Sequence, residues 1–203
     1  MFNSKFITID GVEGTGKSTQ IALLTDYLKR KEIDFILTRE PGGTILGEEI
    51  REVLLNTQAK VDKETELLLM FAARNQHIQE KIKPALAQGK WVISDRWTDA
   101  TFAYQGGGRK VDEKRIIVLE KFVQGDFQAD LSLFLDLEVK TSMDRVAKRG
   151  EKDRIEQEDL DFFERVRDVY LERAKKYPQR IKVIDASQSI DEIHQQIIKN
   201  LSL

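Results

Sequence analysis

The sequence has no cysteine. That excludes disulfide cross-links, thiolate metal ligands and a thiol nucleophile. Proline is nearly as scarce, with three in 203 residues, so no segment reads as a Pro-rich linker. Histidine occurs only at His77 and His194; no metal-ligand spacing joins them, and no Ser/His/Asp grouping stands out. Nowhere do ~18 apolar residues run together, so no helical membrane span is expected. The N-terminus lacks a signal-peptide pattern, because its apolar residues fall in a first strand. An excess of one charge is missing too: 33 Lys and Arg against 35 Asp and Glu leave a net −2. That balance argues against bulk electrostatic binding to nucleic acid or an anionic membrane, while leaving a locally basic cleft open. Internal repeats and low-complexity segments are absent as well. What remains is 40% apolar content, ample for a core, and 33% charge for a solvated surface. A single cytoplasmic domain over residues 1–203 is expected, with room for an appended lid.

Short apolar runs alternate with stretches of helical period. Lys5–Asp10, Phe35–Thr38, Trp91–Ser94, Leu131–Leu135 and Ile181–Ile184 read as strands. Helices are predicted over Gly16–Lys31, Ile45–Leu55, Lys63–Gln88 with a kink at Pro84, Asp112–Val123, Val139–Arg149, Asp159–Lys176 and Ile190–Leu201. Strands alternating with helices predict an α/β fold, a five-stranded parallel sheet with helices on both faces. Ligands in such sheets bind beyond the carboxyl ends of the strands. The residues there are Asp10, Arg39-Glu40, Asp95-Arg96, Asp136 and Asp185.

After the first strand comes Gly11-Val12-Glu13-Gly14-Thr15-Gly16-Lys17-Ser18, the pattern Gly-x-x-x-x-Gly-Lys-Ser, and Thr19 follows inside a predicted helix. A Gly-rich turn between strand and helix aims backbone N–H groups at one point and so cradles phosphate. Lys17 would reach the β/γ-phosphates and Ser18 would ligate Mg²⁺. Trp91-Val92-Ile93-Ser94-Asp95 resembles the strand that offers a second carboxylate to the metal, and Arg96 stands where a moving phosphoryl group needs neutralising. A surface Asp and a rim salt bridge are the plain alternatives. Arg39-Glu40-Pro41-Gly42-Gly43-Thr44 is a rigid turn. Phe71, Arg74, Asn75 and Ile78 share one helix face, where Phe71 and Arg74 are core and paired residues or the wall of a base pocket. Thr101 to Arg109, with three consecutive glycines, fits a helix interrupted near a ligand and a flexible loop equally well.

Arg145, Lys148, Arg149, Lys152 and Arg154 are interleaved with acids, which is the usual look of a solvated face. Glu13 raises a second possibility. An acid within the phosphate loop leaves Lys17 as its only basic side chain, so further positive charge would arrive from a closing Arg-rich lid at about 149–158.

Taken together these strings resemble thymidylate kinase (dTMP kinase) of the bacterial type, over nearly the whole chain. The pieces that carry the resemblance are Thr38-Arg39-Glu40-Pro41-Gly42-Gly43-Thr44, Phe71-Ala72-Ala73-Arg74, Asp95-Arg96-Trp97, Ala103 through Arg109, and Asp153-Arg154-Ile155-Glu156. Trp97 departs from the Tyr, Phe or His usual after Asp-Arg. The resemblance implies a three-layer P-loop nucleotide kinase fold, transfer of the γ-phosphoryl group of ATP to dTMP, Mg²⁺, and a homodimer through packed helices. It implies that Gly11 through Thr19 hold ATP, and that Ser18 and Asp95 serve the metal. Asp10, Glu40, Pro41, Arg51, Phe71, Arg74, Arg96, Thr101, Tyr104 and Gln105 would bind dTMP. Lys17, Arg96, Arg149 and Arg154 would act in catalysis. Adenine would sit near Arg145 or Arg149 and the turn Asp185–Ser187. Other readings of the motifs are another P-loop nucleoside or nucleotide kinase, a P-loop switch protein, and an inactive nucleotide-binding module.

Overall fold

The computed structural model describes residues 4–58, 60–148 and 153–201. Five strands, β1 (Phe6–Asp10), β2 (Phe35–Arg39), β3 (Trp91–Asp95), β4 (Leu131–Asp136) and β5 (Ile181–Asp185), form one parallel sheet in the order β2-β3-β1-β4-β5. The inner strands β1, β3 and β4 are covered on both faces and so read as largely apolar runs, while the edge strands β2 and β5 leave Leu37 and Val183 exposed.

Around the sheet lie α1 (Lys17–Arg30), α2 (Ile45–Leu55), α3 (Lys63–His77), α4 (Lys83–Ala87), α5 (Thr98–Thr101), α6 (Glu113–Gln124), α7 (Val139–Ala147), α8 (Leu160–Lys176) and α9 (Ile190–Asn200). One core joins Ile7, Ile9, Ile93, Leu133 and Ile184 to Leu24 and Leu28 of α1 and Ile193 and Ile197 of α9. On the opposite face Phe134 meets Phe163, Val166 and Tyr170 of α8, and Phe6 and Val92 meet Ile78, Ile82 and Trp97.

Local chemistry sets the helix starts. Thr44, Asp62, Asp112, Asp159 and Ser189 each cap a helix by accepting from backbone N–H groups of its second or third residue, and Ser189 completes a capping box with Glu192. Helix α1 differs: it opens at Gly16, left-handed at φ 90°, with no side-chain cap. Its first N–H groups are left for a ligand.

The stretch predicted as one helix with a kink at Pro84 is α3 and α4 joined by a π-helical turn, Ile78–Ile82. There the Lys83 N–H donates back to Ile78, so the ladder widens just before the residue that lacks a donor. The glycine-bearing segment after α5 is also π-helical, Phe102–Gly108. The interrupted helix, not the loop, is what forms. It packs closely on α8, where Arg165 donates to the Gly107 and Gly108 carbonyls. Helix α7 was expected to reach Arg149; that residue lies outside the described residues.

Candidate active site

Parallel register brings the carboxyl ends of the strands level. Ile9 pairs with Asp95, Arg39 with Asp95, and Asp136 with Asp185. A cavity of about 510 Å³ opens above this edge. Its wall includes Glu13, Lys17 and Ser18 of the loop, Glu40, Pro41 and Arg51, Asp95 and Arg96, Tyr104 and Gln105, and Arg154.

The phosphate loop is stiffened from within and from behind. Gly11, Gly14 and Gly16 all have positive φ. Thr15 Oγ1 donates to the Val12 carbonyl at 2.9 Å, and Ser142 Oγ of α7 donates to the Glu13 carbonyl at 2.8 Å. A side chain at Gly14 would meet the Ser142 carbonyl at 2.3 Å, so only glycine lets α7 pack this close. Arg145 Nη1 donates to the Gly14 carbonyl at 3.3 Å. Thr19 is exposed on the first turn of α1.

Glu13 turns onto Arg96. Arg96 Nη2 donates to the Glu13 carboxylate and, at 3.0 Å, to the Tyr104 hydroxyl; Arg96 Nη1 donates to the Gly11 carbonyl at 2.6 Å. Tyr104 Oη donates to Glu13 Oε2 at 2.8 Å. Burial works against the ionised Glu13, but the charges of Arg96 and Lys17 outweigh it and its pKa is lowered. Burial, then the charge of Arg96, lowers the pKa of Lys17. The acid in the loop thus aligns the cation at the end of β3 rather than facing outward.

Asp95 Oδ1 is buried and has no hydrogen-bond partner among the described residues, and Asp95 shares the cavity wall with Ser18. A hydroxyl and a free carboxylate oxygen on one wall are hard oxygen donors that fit Mg²⁺, an ion usually held by one or two carboxylates plus substrate phosphates.

Asp10 lies beneath, accepting from Thr8 Oγ1 at 3.0 Å and Tyr170 Oη at 3.1 Å. Burial, and after it the charge of Asp99, raises its pKa from 3.8 to about 6. A carboxyl raised in the folded state favours folding fully only below about 3.8, and that advantage is lost as pH rises through about 6. Asp10→Asn removes the loss. Urea unfolding at about pH 7.5 should find the variant more stable than wild type by on the order of 3 kcal/mol, with the gap closing near pH 4.

Phe71, Arg74 and Thr101 do not reach the cavity wall; they form the layer behind it. Arg74 is wholly buried, between the rings of Phe71 (4.9 Å) and Trp97 (5.1 Å). It donates through Nε to Glu40 Oε2 at 2.8 Å and through Nη2 to Thr101 Oγ1 at 2.8 Å, and Nη1 has no partner among the described residues. Glu40 Oε1 lies 3.0 Å from His77 Nδ1, and His77 Nε2 lies 2.7 Å from Thr38 Oγ1. His77 had no expected role, yet it completes a buried chain Thr38–His77–Glu40–Arg74–Thr101. Only the close spacing of Thr38, Glu40 and Pro41 hinted at it. Arg51 Nη1 donates to the Pro41 carbonyl at 3.0 Å.

The charged segment was expected as a solvated face or a lid. Its described part, 153–158, folds over the rim of the cavity. Asp153 Oδ1 accepts from the N–H groups of Ile155 and Glu156. Arg154 donates to the Leu54 carbonyl at 2.7 Å and to Glu66 Oε2 at 2.6 Å. Its side chain is therefore engaged with α2 and α3, not with the phosphate loop. Arg149, the other expected lid cation, lies outside the described residues.

This geometry agrees with what known proteins share with the chain. The family model described as Thymidylate kinase matches residues 9–197. A thymidylate kinase of Ruthia magnifica subsp. Calyptogena magnifica is 59% identical over 198 residues, 97% of this chain and 97% of that protein. One from Neisseria gonorrhoeae (strain NCCP11945) is 52% identical over 197 residues, 97% of this chain and 96% of the relative. The crystal structure of thymidylate kinase from Ehrlichia chaffeensis matches at a TM-score of 0.81 and 37% identity, covering 100% of both chains. Sequence and fold agree along the whole length, and the chain belongs to the thymidylate kinase family.

Proposed function

We propose that this chain transfers the γ-phosphoryl group of ATP to dTMP, giving dTDP and ADP. The observation that carries the reading is the arrangement of cations. One cavity gathers Lys17, Arg96 and Arg51 on its wall, with the uncapped α1 terminus directly before Lys17. Three cations and a helix N-terminus around one cavity suit a donor and an acceptor that both carry phosphate.

The acceptor oxygen is already largely ionised near neutrality, so no general base is needed. The residues must align two anions that repel each other, spread the charge that moves between them, and keep water out. Gly11 through Ser18 would hold the ATP phosphates by N–H donors and Lys17. Arg96, held in place by Glu13 and Tyr104, would grip the acceptor phosphate from the end of β3. Ser18 and Asp95 would hold Mg²⁺, which when bound draws charge from the phosphate oxygens. Pro41, Tyr104 and Gln105 would bound the nucleoside, with Phe71, Arg74 and Thr101 supporting that wall. Asp153 through Glu158 would close the rim, and Arg149 would complete the cationic side.

ADP release should be measured with dTMP, dUMP, dCMP, UMP, thymidine and no acceptor. Stimulation by dTMP above the others is expected; ATP hydrolysis indifferent to acceptor sinks the reading. Preference for thymidine would point instead to a nucleoside kinase.

The reading extends to a homodimer in the cytoplasm. Supporting it, α3 and α6 together expose Leu68, Val118 and Phe122, the last 85% exposed, beside an apolar groove that includes Leu67 and Leu119. An apolar patch flanked by Glu64, Lys114 and Arg115 suits contact between copies. Phe122→Asp should shift the protein from dimer to monomer by light scattering; a monomeric wild type contradicts the assignment. No helix among the described residues is long and apolar enough to cross a membrane.

A further inference from the structure

Ser142 lies near the start of α7 and is fully buried. A helical serine commonly bonds back to the carbonyl four residues before it. Here the Glu138 carbonyl accepts from the Ser142 N–H at 3.0 Å, and the hydroxyl reaches across to the Glu13 carbonyl at 2.8 Å. One turn further on the same face, Arg145 Nη1 donates to the Gly14 carbonyl at 3.3 Å. Two successive carbonyls of the phosphate loop are therefore turned toward α7.

A trans peptide is planar, and its N–H points opposite to its C=O. With the Glu13 carbonyl facing α7, the Gly14 N–H faces away from that helix. The Thr15 N–H follows, because the Gly14 carbonyl is held the same way. Neither N–H donates to a backbone carbonyl among the described residues. Adjacent free donors of this kind form a concave site for an anion. The loop does not secure them by itself. Gly14, at φ 81°, lets α7 approach, since a Cβ there would collide with the Ser142 carbonyl. The same missing Cβ leaves the Glu13–Gly14 peptide free to rotate. A flipped peptide would present an oxygen to a phosphate in place of a hydrogen.

We infer that Ser142 is a positioning residue, whose hydroxyl locks the Glu13–Gly14 peptide so that the loop offers its N–H groups to the phosphates of the bound donor nucleotide. The lock serves the transfer proposed above, and the inference rests on that reading. Ser142 acts through the backbone of the loop and not through a contact of its own with the nucleotide.

Ser142→Ala deletes the one hydroxyl. Calorimetric titration with ADP and Mg²⁺ should show affinity weakened about fivefold, the size set by one hydrogen bond between neutral groups. In steady-state kinetics the KM for ATP should rise by a similar factor, with the KM for dTMP within about twofold of wild type. Thr141→Ala makes the same exchange at the exposed neighbouring position on α7 and should leave all three constants unchanged. ADP affinity within about twofold of wild type in folded Ser142→Ala overturns the proposal. So does an equal weakening of dTMP, or the same loss in Thr141→Ala, since either reports general damage to the helix. Should Ser142→Ala not fold, Ser142→Gly removes the hydroxyl and is judged by the same readings. A wild type that does not bind ADP overturns the proposed function itself, so the two failures are distinguishable.

Discussion

Arg96→Ala should lower turnover of dTMP by roughly 10³-fold or more while leaving a folded protein. Arg96 has φ of 72°, unusual for a residue with a side chain, and its backbone is held there by its N–H donating to the Ile9 carbonyl at 3.0 Å and by Ser94 Oγ donating to its carbonyl at 2.8 Å. The guanidinium is thereby fixed over the cavity before any ligand arrives. On the proposed reading, truncation would remove a preorganised cation from between two phosphates, a large contribution to a reaction that needs no base. The fold should survive because Glu13 keeps its bond from Tyr104 and the nearby charge of Lys17. Arg96→Lys should recover little, since an ammonium cannot reach Gly11, Glu13 and Tyr104 together as the fork does. A kcat within tenfold of wild type, with an unchanged urea midpoint, would refute the role given to Arg96.

Asp99→Ala should be the most destabilising single change, about 3–5 kcal/mol, with a thermal midpoint roughly 10 °C or more below wild type. Asp99 is buried under the start of the cavity wall and accepts from Arg173 Nε at 2.7 Å, Arg180 Nη2 at 2.9 Å and Ser132 Oγ at 3.1 Å. Without it two guanidinium groups from the end of the chain face each other with no anion between them. The pH dependence carries the opposite sign to that of Asp10. Burial opposes ionisation of Asp99, but Arg180 and Arg173 outweigh it and the pKa falls below 3.8. Its stabilisation is therefore present above about 3.8 and is lost as pH drops through the lower folded value. Wild type should lose stability on acidification through this window, and calorimetry of Asp99→Ala should show that loss removed.

The sheet and the phosphate loop were legible because their signals are local. Buried parallel strands are short apolar runs, caps sit beside the helices they start, and the residues after each strand are level by geometry. Strand ends were read one residue short at Arg39, Asp95, Asp136 and Asp185, since a charged residue at a strand terminus resembles the loop it precedes. Pairings across distance left no such trace. Glu66 meets Arg109 and Arg154, 43 and 88 residues away, and each alone passes for a solvated surface charge. His77 looked like a polar helix residue until the turn at Thr38–Pro41 was seen to lie against it. The π-helical turns have no residue signature beyond glycine and proline, because widening a helix depends on what packs against it.

The order of the strands has a consequence for how the chain comes off the ribosome. Of the five strands, β1 precedes the others in the sequence yet is the central one, flanked by β3 and β4, which follow some 85 and 125 residues later. The loop it carries is pinned by Ser142 and Arg145. During translation the nucleotide loop therefore emerges well before the helix that pins it. Non-local pairing of this kind is slow to nucleate and leaves apolar strand surface uncovered meanwhile. A ligand can therefore meet the finished loop only after α7 has been made and has docked.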